Sequence, residues 1–475
     1  APARAVEVAL TFISFGYAAL LMLAVLVDRA LRPWPRARAA SLLVASIVFY
    51  AAAEPMYVSV LVLSILVDFV VGARLATAQG IAARRGWLLV SLTANLGALG
   101  FFKYGDMLLE SAELLAASLG WPLSLPRVPG GLPIGISFYT FQTLTYTLDR
   151  YAGRVPPARS ALDFALFVCY FPQLVAGPIV RARELLPQLE HRPEPSVGDV
   201  GAGLMRLLIG VVKKALIADP LRAAVVVGFE AGGGGPVATG IGLAASYLAL
   251  YCDFSGYTDI ALGSARLMGL SLPENFDRPG LSRSPMEHWR RWHMTLSSLL
   301  HEYVYAPLCG GPAAPGARRA VALFITFFVA GAWHGGAWSY ALMGVYNGTL
   351  VVVWRLLRPQ PSPNPLVARA EGLLALGLVS ASLVFMRPVP IRESVDLLRG
   401  IVAVDRGLAG MPGLDGLGLL ALAGALHLSP RGWKARLLAW AEGAPALSLG
   451  LIVVVVVALA LRVTDRSAAF TYFQF

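Results

Sequence analysis

Two histidines are the groups best placed by type and context to do chemistry. His334 sits in Gly331-Ala332-Trp333-His334-Gly335-Gly336, at the end of the apolar run 321–330. An imidazole at bilayer depth is costly, so a polar group held there marks a functional position. A neutral imidazole can take the proton of a hydroxyl nucleophile, and a positioned base contributes about 10²–10⁴-fold. The flanking Gly331, Gly335 and Gly336 permit close approach of backbone or ligand. The plainer reading is a histidine hydrogen-bonded between helices. His293 lies in Glu287-His288-Trp289-Arg290-Arg291-Trp292-His293-Met294-Thr295-Leu296-Ser297. There the plainer reading is an interfacial aromatic and basic belt. His191, His288, His301 and His427 read as surface or packing residues.

A second polar cluster lies in Tyr251-Cys252-Asp253-Phe254-Ser255-Gly256-Tyr257-Thr258-Asp259. Carboxylates in so apolar a segment need partners. Asp253 and Asp259, with Asn275, read as a supporting polar network, the carboxylates tied to Arg290 or Arg291; the alternative for the two carboxylates is a direct catalytic role. The basic residues Arg290, Arg291, Lys213 and Lys214 are candidates for holding an anionic group, since phosphates favour Arg and Lys. No metal site is expected. His288 and His293 are five apart, unlike the i, i+4 pair of a zinc helix, and His301-Glu302 lacks the second histidine of that motif. No Gly-rich phosphate loop or Ser elbow is present. Cys169, Cys252 and Cys309 lie in or beside apolar segments and read as small buried hydrophobes.

The elements that must position these groups are membrane helices. The chain is 57% hydrophobic and 14% charged, with mean hydropathy +0.66. A soluble domain carries about 25% charged residues. Apolar runs at 8–27, 40–53, 57–72 and 87–102 open the chain, and runs at 320–336, 338–354, 367–386, 416–428 and 447–461 close it. Long unbroken runs exclude a β-barrel, whose strands alternate in polarity over about ten residues. The fold class is therefore all-α and polytopic, with roughly ten to twelve crossings of about 20 residues each. The run 8–27 is read as a retained helix, with no small-residue cleavage site after it. Between these ends the segments 131–148 and 162–180 are broken by Pro133, Gly135, Pro172, Gly177 and Pro178. Such backbone is tolerated at membrane depth only when buried in protein or lining a cavity. Segment 200–217 is amphipathic and basic and is expected on the inner surface. Segment 285–308 is too polar for a span and is expected to be re-entrant or interfacial. The stretch after residue 102, with Asp106, Glu110 and Glu113, is expected as a loop.

The net charge is +11. Its basic residues punctuate apolar runs rather than forming a stripe, which excludes nucleic acid and fits cytoplasmic loops. Arg29 to Arg38, Arg74 to Arg85, Arg318 with Arg319, Arg355 with Arg358, and Arg431 to Arg436 then face the cytoplasm. Both termini are expected outside.

Six ordered stretches resemble the membrane-bound O-acyltransferase family, most closely its bacterial branch that acetylates alginate or D-alanylates teichoic acid. They are Leu132-Pro133-Ile134-Gly135-Ile136-Ser137-Phe138-Tyr139, Phe171-Pro172-Gln173-Leu174-Val175-Ala176-Gly177-Pro178, Asp253 to Asp259, Pro273-Glu274-Asn275-Phe276-Asp277-Arg278-Pro279, Trp289 to Ser297, and Trp333-His334-Gly335. The resemblance implies that His334 is catalytic and His293 the second active-site residue. It implies a ring of helices around a tunnel, in one domain over 1–475. That domain has N-terminal helices to 130, a catalytic core 131–360, and C-terminal helices with an aromatic tail from 361. The tail Phe470-Thr471-Tyr472-Phe473-Gln474-Phe475 resembles an F-x-Y-x-x-F ending of that branch, which makes Tyr472 a candidate acyl carrier. The alternative is an aromatic anchor. One departure is His301-Glu302, where many relatives have an arginine-acid pair. The implied activity is transfer of an acetyl group from acetyl-CoA in the cytosol to an exported polysaccharide or an extracytoplasmic accepting protein, at a bacterial inner membrane. D-alanyl or other acyl transfer from a carrier protein is one alternative, and a transporter or flippase is another.

Overall fold

The computed structural model of the chain describes residues 12–464 apart from 233, 312, 359–361 and 431. Every regular element among the described residues is a helix. Six are long and apolar enough to cross a membrane: Pro35–Ala53, Pro55–Thr77, Pro236–Leu267, Gly316–His334, Trp338–Leu357 and Pro365–Phe385. Their lengths suit a hydrocarbon layer of about 30 Å at 1.5 Å per residue. Leu414–His427 and Ala446–Arg462 are shorter apolar helices. On the Val58–Thr77 helix, Leu61, Ile65, Asp68, Gly72 and Leu75 are buried, while Leu63, Leu66 and Val70 are exposed. Its one carboxylate, Asp68, faces protein, and the face turned outward carries apolar side chains, as a lipid solvent requires.

The chain packs as two compact units. The first comprises, among the described residues, 12–210, 257–273 and 435–454. Its buried carboxylates are all supplied with donors. Asp68 accepts from Ser91 Oγ at 2.5 Å, Asn95 Nδ2 at 2.9 Å and Thr147 Oγ1 at 3.1 Å. Asp28 pairs with Arg38 at 2.9 Å and Arg192 at 2.5 Å. Asp259 pairs with Arg206 at 3.0 Å.

Two expectations are corrected in this unit. The fourth span does not end near residue 102 but continues as one helix, Ile81–Ser118. Its acidic residues are not loop markers. Asp106 accepts from the backbone N–H of Val128 at 2.7 Å, and Glu113 accepts from that of Leu125 at 2.7 Å while pairing with Arg127. They pin the following loop back against the helix. The segment expected on the inner surface is instead packed inside. In Val197–Val211, Gly201, Gly203, Met205, Arg206 and Leu208 are all buried. A Cβ on Gly201 would collide with the Ala441 carbonyl, and one on Gly203 would lie 3.1 Å from the Gly263 carbonyl. Small residues let backbones approach this closely.

The second unit comprises, among the described residues, 211–256, 274–434 and 455–464. Lys214 is buried here against Asp219 at 2.6 Å and Asp253 at 2.8 Å. Segment 285–308 is no span: it is broken into Pro285–Arg291, Met294–Leu300, His301–Tyr305 and Ala306–Cys309. The first of these helices has Ser284 at its N-cap and Pro285 next. Ser284 Oγ accepts from Glu287 N at 3.2 Å, and the Glu287 carboxylate accepts from Arg283 N at 2.8 Å. Ser284 thus satisfies one of the orphan N–H groups that start a helix, and Glu287 ties down the residue that precedes the cap.

Candidate active site

His334 is the last residue of Gly316–His334, and the chain turns directly into Trp338–Leu357. The two helices run back to back on a seam of glycines. A Cβ on Gly331 would fall 2.6 Å from the Tyr340 carbonyl, and one on Gly344 would fall 2.8 Å from that of Phe327. A Cβ on Gly335 would run into the Tyr340 ring. Gly331 and Gly344 therefore serve backbone approach and Gly335 makes room for the Tyr340 ring, and together they fix where His334 must stand. Its half-buried side chain lines a cavity with Tyr247, Leu250, Phe254, Trp289, Trp292, Met343 and Met386.

His293 is brought beside it from the broken segment. Its backbone is left-handed, φ 44° and ψ 54°, a conformation uncommon for any residue but glycine. Asn275 holds it there through the two residues that follow. The Asn275 carbonyl accepts from Met294 N at 2.9 Å, and its Oδ1 accepts from Thr295 N at 3.2 Å and Thr295 Oγ1 at 3.0 Å. The imidazole lies against Phe254, ring centroids 4.7 Å apart, and against Trp333 at 5.8 Å. Burial holds His293 well below the usual histidine range, and the nearby His334 ring pushes the same way. His293 is therefore neutral at pH 7, the form that accepts a proton or donates a hydrogen bond without charge.

Strain maintained by surrounding contacts gathers at functional sites, and one variant separates backbone from chemistry. His293→Gly relieves the left-handed geometry and deletes the imidazole. It is expected to lose activity while keeping its melting temperature, because the cost of a left-handed non-glycine residue, about 1–2 kcal/mol, is removed. Thermal melts in detergent beside activity assays check this. A glycine variant that melts far lower would make the ring a packing element only.

The remaining sequence candidates fall in distinct places. Asp253 and Asp259 have Lys214 and Arg206 as partners, where Arg290 or Arg291 had been expected. Arg291 pairs with Glu287, Lys213 lies over the Tyr251 ring at 5.8 Å, and Arg290 is exposed. His288 and His427 both brace the turn Pro279–Leu281. His288 Nδ1 meets the Pro279 carbonyl at 3.2 Å, and Gly280 N donates to His427 Nε2 at 2.9 Å. Tyr472 lies outside the described residues. No group of three His, Cys, Asp or Glu side chains that could hold a metal occurs among the described residues. Tyr247 and Met386 carry no motif and were not singled out from the sequence. Tyr247, Leu250 and Phe254 do share one helix face at i, i+3, i+7, which is the available signal.

Comparison with known proteins meets this geometry. A model of the membrane-bound O-acyltransferase family matches residues 146–386, which include His293 and His334. The Pseudomonas aeruginosa protein named "Probable alginate O-acetylase AlgI" is 36% identical over 331 residues, covering 68% of this chain and 63% of that relative. A Helicobacter pylori peptidoglycan O-acetyltransferase is 31% identical over 401 residues, covering 77% and 73%. A Bacillus subtilis teichoic acid D-alanyltransferase is 25% identical over 318 residues, covering 63% and 80%. The chain spans less than two thirds of the length of the alginate O-acetylases it matches, between 60% and 66%. Matched over half its length, with both histidines inside the match, this multi-pass chain belongs to the membrane-bound O-acyltransferase family.

Proposed function

We propose that the chain is an O-acyltransferase of a bacterial cytoplasmic membrane, carrying acetyl groups from cytosolic acetyl-CoA to an extracytoplasmic polysaccharide hydroxyl. The observation that carries this is a single cavity wall: His334 opens into a cavity whose neighbouring histidine, His293, is held neutral in a constrained turn. In the reaction, the first accepting hydroxyl, that of Tyr472, gives its proton to the His334 imidazole as its oxygen attacks the thioester carbonyl. The C–S bond then breaks, and the thiolate leaves as free CoA with the proton from the imidazolium. His293 orients the reacting groups beside it. Acetyl is favoured over D-alanyl because the O-acetylating relatives are 31–36% identical and the D-alanylating ones 25–28%. An uncharged acetyl ester also avoids moving charge through apolar surroundings.

Arg290 is the exposed cation of the four basic candidates and meets the CoA phosphates at the cytoplasmic side. Tyr472, on an extracytoplasmic tail, receives the acetyl group first and passes it on. A free phenol has pKa about 10 and needs a base to attack, and His334 supplies it. The resulting aryl ester is a good donor, because phenoxide leaves more readily than an alkoxide.

The test is covalent. Purified protein incubated with acetyl-CoA and acceptor releases free CoA, whereas a transporter consumes no thioester. Mass spectrometry of the C-terminal peptide is expected to show one added acetyl group on Tyr472, and Tyr472→Phe is expected to stop transfer. An unmodified Tyr472 with full activity in the variant would reduce the tail to an interfacial anchor.

A further inference from the structure

The ends of three helices in the first unit meet at a cluster of arginines. Arg74 stands near the end of Val58–Thr77, Arg84 and Arg85 near the start of Ile81–Ser118, and Arg150 near the end of Ile136–Tyr151. Arg150 is buried, and its Nε and Nη1 donate to the Gly72 and Val155 carbonyls. Half-buried Arg84 donates to the Leu75 carbonyl at 3.0 Å and to the Tyr151 carbonyl at 2.6 Å. The two guanidinium groups are close enough to repel each other. Arg74 is exposed and lies over the Trp87 ring at 5.8 Å. The acids of the same region do not offset this charge. No Asp or Glu occurs between residues 69 and 105. Asp149 is shared by Arg154 at 3.1 Å and Arg183 at 3.4 Å. Asp68, one turn deeper than Gly72, accepts from Ser91, Asn95 and Thr147, and Asp163 accepts from Ser160 at 2.6 Å. Six arginines thus stand against three carboxylates, with Asp68 and Asp163 counted as charged.

Two plainer roles leave the cluster unexplained. Orientation in the membrane needs only exposed cations, not a buried Arg150 and a half-buried Arg84. Nor do Arg84 and Arg85 stabilise their own helix, because a helix N-terminus disfavours cations. That N-terminus has no acidic residue in its first turn and no side-chain cap. We propose that these helix ends bind the phosphate of an anionic phospholipid in the cytoplasmic leaflet, through Arg74, Arg84, Arg85 and Arg150. The lipid as source follows from the helix face that leads to them. Exposed Leu63, Leu66 and Val70 run along Val58–Thr77 at i, i+3 and i+7, and exposed Arg74 follows at i+11 on the same face. An acyl chain lying on that stripe sets its headgroup at Arg74. Trp87 marks the interfacial depth at which such rings settle. Guanidinium groups take phosphate oxygens in pairs, and basic pockets between helices on the cytoplasmic side hold anionic headgroups. A free phosphate would leave the apolar stripe unused. The basic-loop pattern assigns this end to the cytoplasm.

The experiment uses the full chain, purified in detergent and stripped of lipid. Equilibrium binding is measured for phosphatidylglycerol, for phosphatidylcholine with the same acyl chains, for inorganic phosphate and for CoA. Phosphatidylglycerol is expected to bind about tenfold more tightly than phosphatidylcholine. Arg74→Gln combined with Arg85→Gln is expected to abolish that preference and leave phosphatidylcholine binding unchanged, and Arg150→Gln to do the same. Arg74 and Arg85 are exposed, so their double variant carries the test should Arg150→Gln misfold. Arg36→Gln combined with Arg436→Gln removes two other exposed cations of the first unit and is expected to keep the preference. Equal binding of the two lipids overturns the proposal. So does equal loss in the Arg36 and Arg436 pair, which would reduce the effect to general surface charge. Inorganic phosphate binding as tightly with the same arginine dependence would make this a site for a soluble anion. CoA displacing the lipid from these arginines would assign them to the acyl donor, and either result overturns the lipid site.

Discussion

His334→Ala removes acyl transfer and leaves a folded, monodisperse protein. The expected fall in turnover is at least about 10²-fold, the low end of what a positioned general base supplies. Folding is spared because the close packing around this residue is carried by its neighbours. Gly331 and Gly344 bring the two helices together, and Gly335 lies under the Tyr340 ring. The His334 side chain is half-buried at a cavity wall, so its truncation enlarges the cavity instead of opening a void in a sealed core. Gly335→Ala gives the opposite pattern. It keeps the imidazole and forces a methyl into Tyr340, so extraction yield and melting temperature fall together with activity. CoA release and size-exclusion profiles, measured side by side, distinguish the two. Near-normal turnover in His334→Ala would falsify the assignment of the base.

His334 was legible because cost is legible, whereas His293 stands in a polar stretch and rested on its aromatic and basic neighbours and on the family resemblance. A polar ring inside an apolar run stands out whatever its neighbours do, and the helical class followed from run length alone. What sequence could not carry was pairing across the fold. Asp259 meets Arg206 and Asp253 meets Lys214, and nothing in local spacing prefers these partners to Arg290 or Arg291. The loop expected after residue 102 failed for a related reason. Asp106 and Glu113 look like solvated loop residues until Val128 and Leu125 are seen donating backbone N–H groups to them. The buried course of Val197–Val211 turned on Gly201 and Gly203, which reveal close packing only once Ala441 and Gly263 are in place. The cavity walls were hidden by being ordinary. Tyr247, Met343 and Met386 are core residues by composition, and only the tertiary fold turns them toward His334.

Lys213 and Lys214 are indistinguishable in the sequence, and the structure predicts opposite fates for their variants. Lys213 is half-buried with its ammonium over Tyr251, so Lys213→Met changes stability little, a cation–π contact of this kind being worth about 0.5–1 kcal/mol. Lys214→Met leaves Asp219 and Asp253 buried with their shared cation gone. Breaking a buried pair by removing one partner costs about 3–5 kcal/mol, because the desolvated charge left behind is uncompensated. Two carboxylates are stranded here, so the variant is expected to melt well below the wild type or fail to extract as a monodisperse species. Replacing all three groups together, Lys214→Met with Asp219→Asn and Asp253→Asn, removes the stranded charges and is expected to recover most of the lost stability. Buried ionic clusters often tolerate wholesale neutral replacement far better than partial removal. Thermal melts of the single and triple variants in one detergent decide the matter. A Lys214→Met protein that melts like wild type but binds acetyl-CoA weakly would return this lysine to the donor site; a melt rescued by the triple replacement fixes it as the counter-charge that lets Asp253 sit inside the helix.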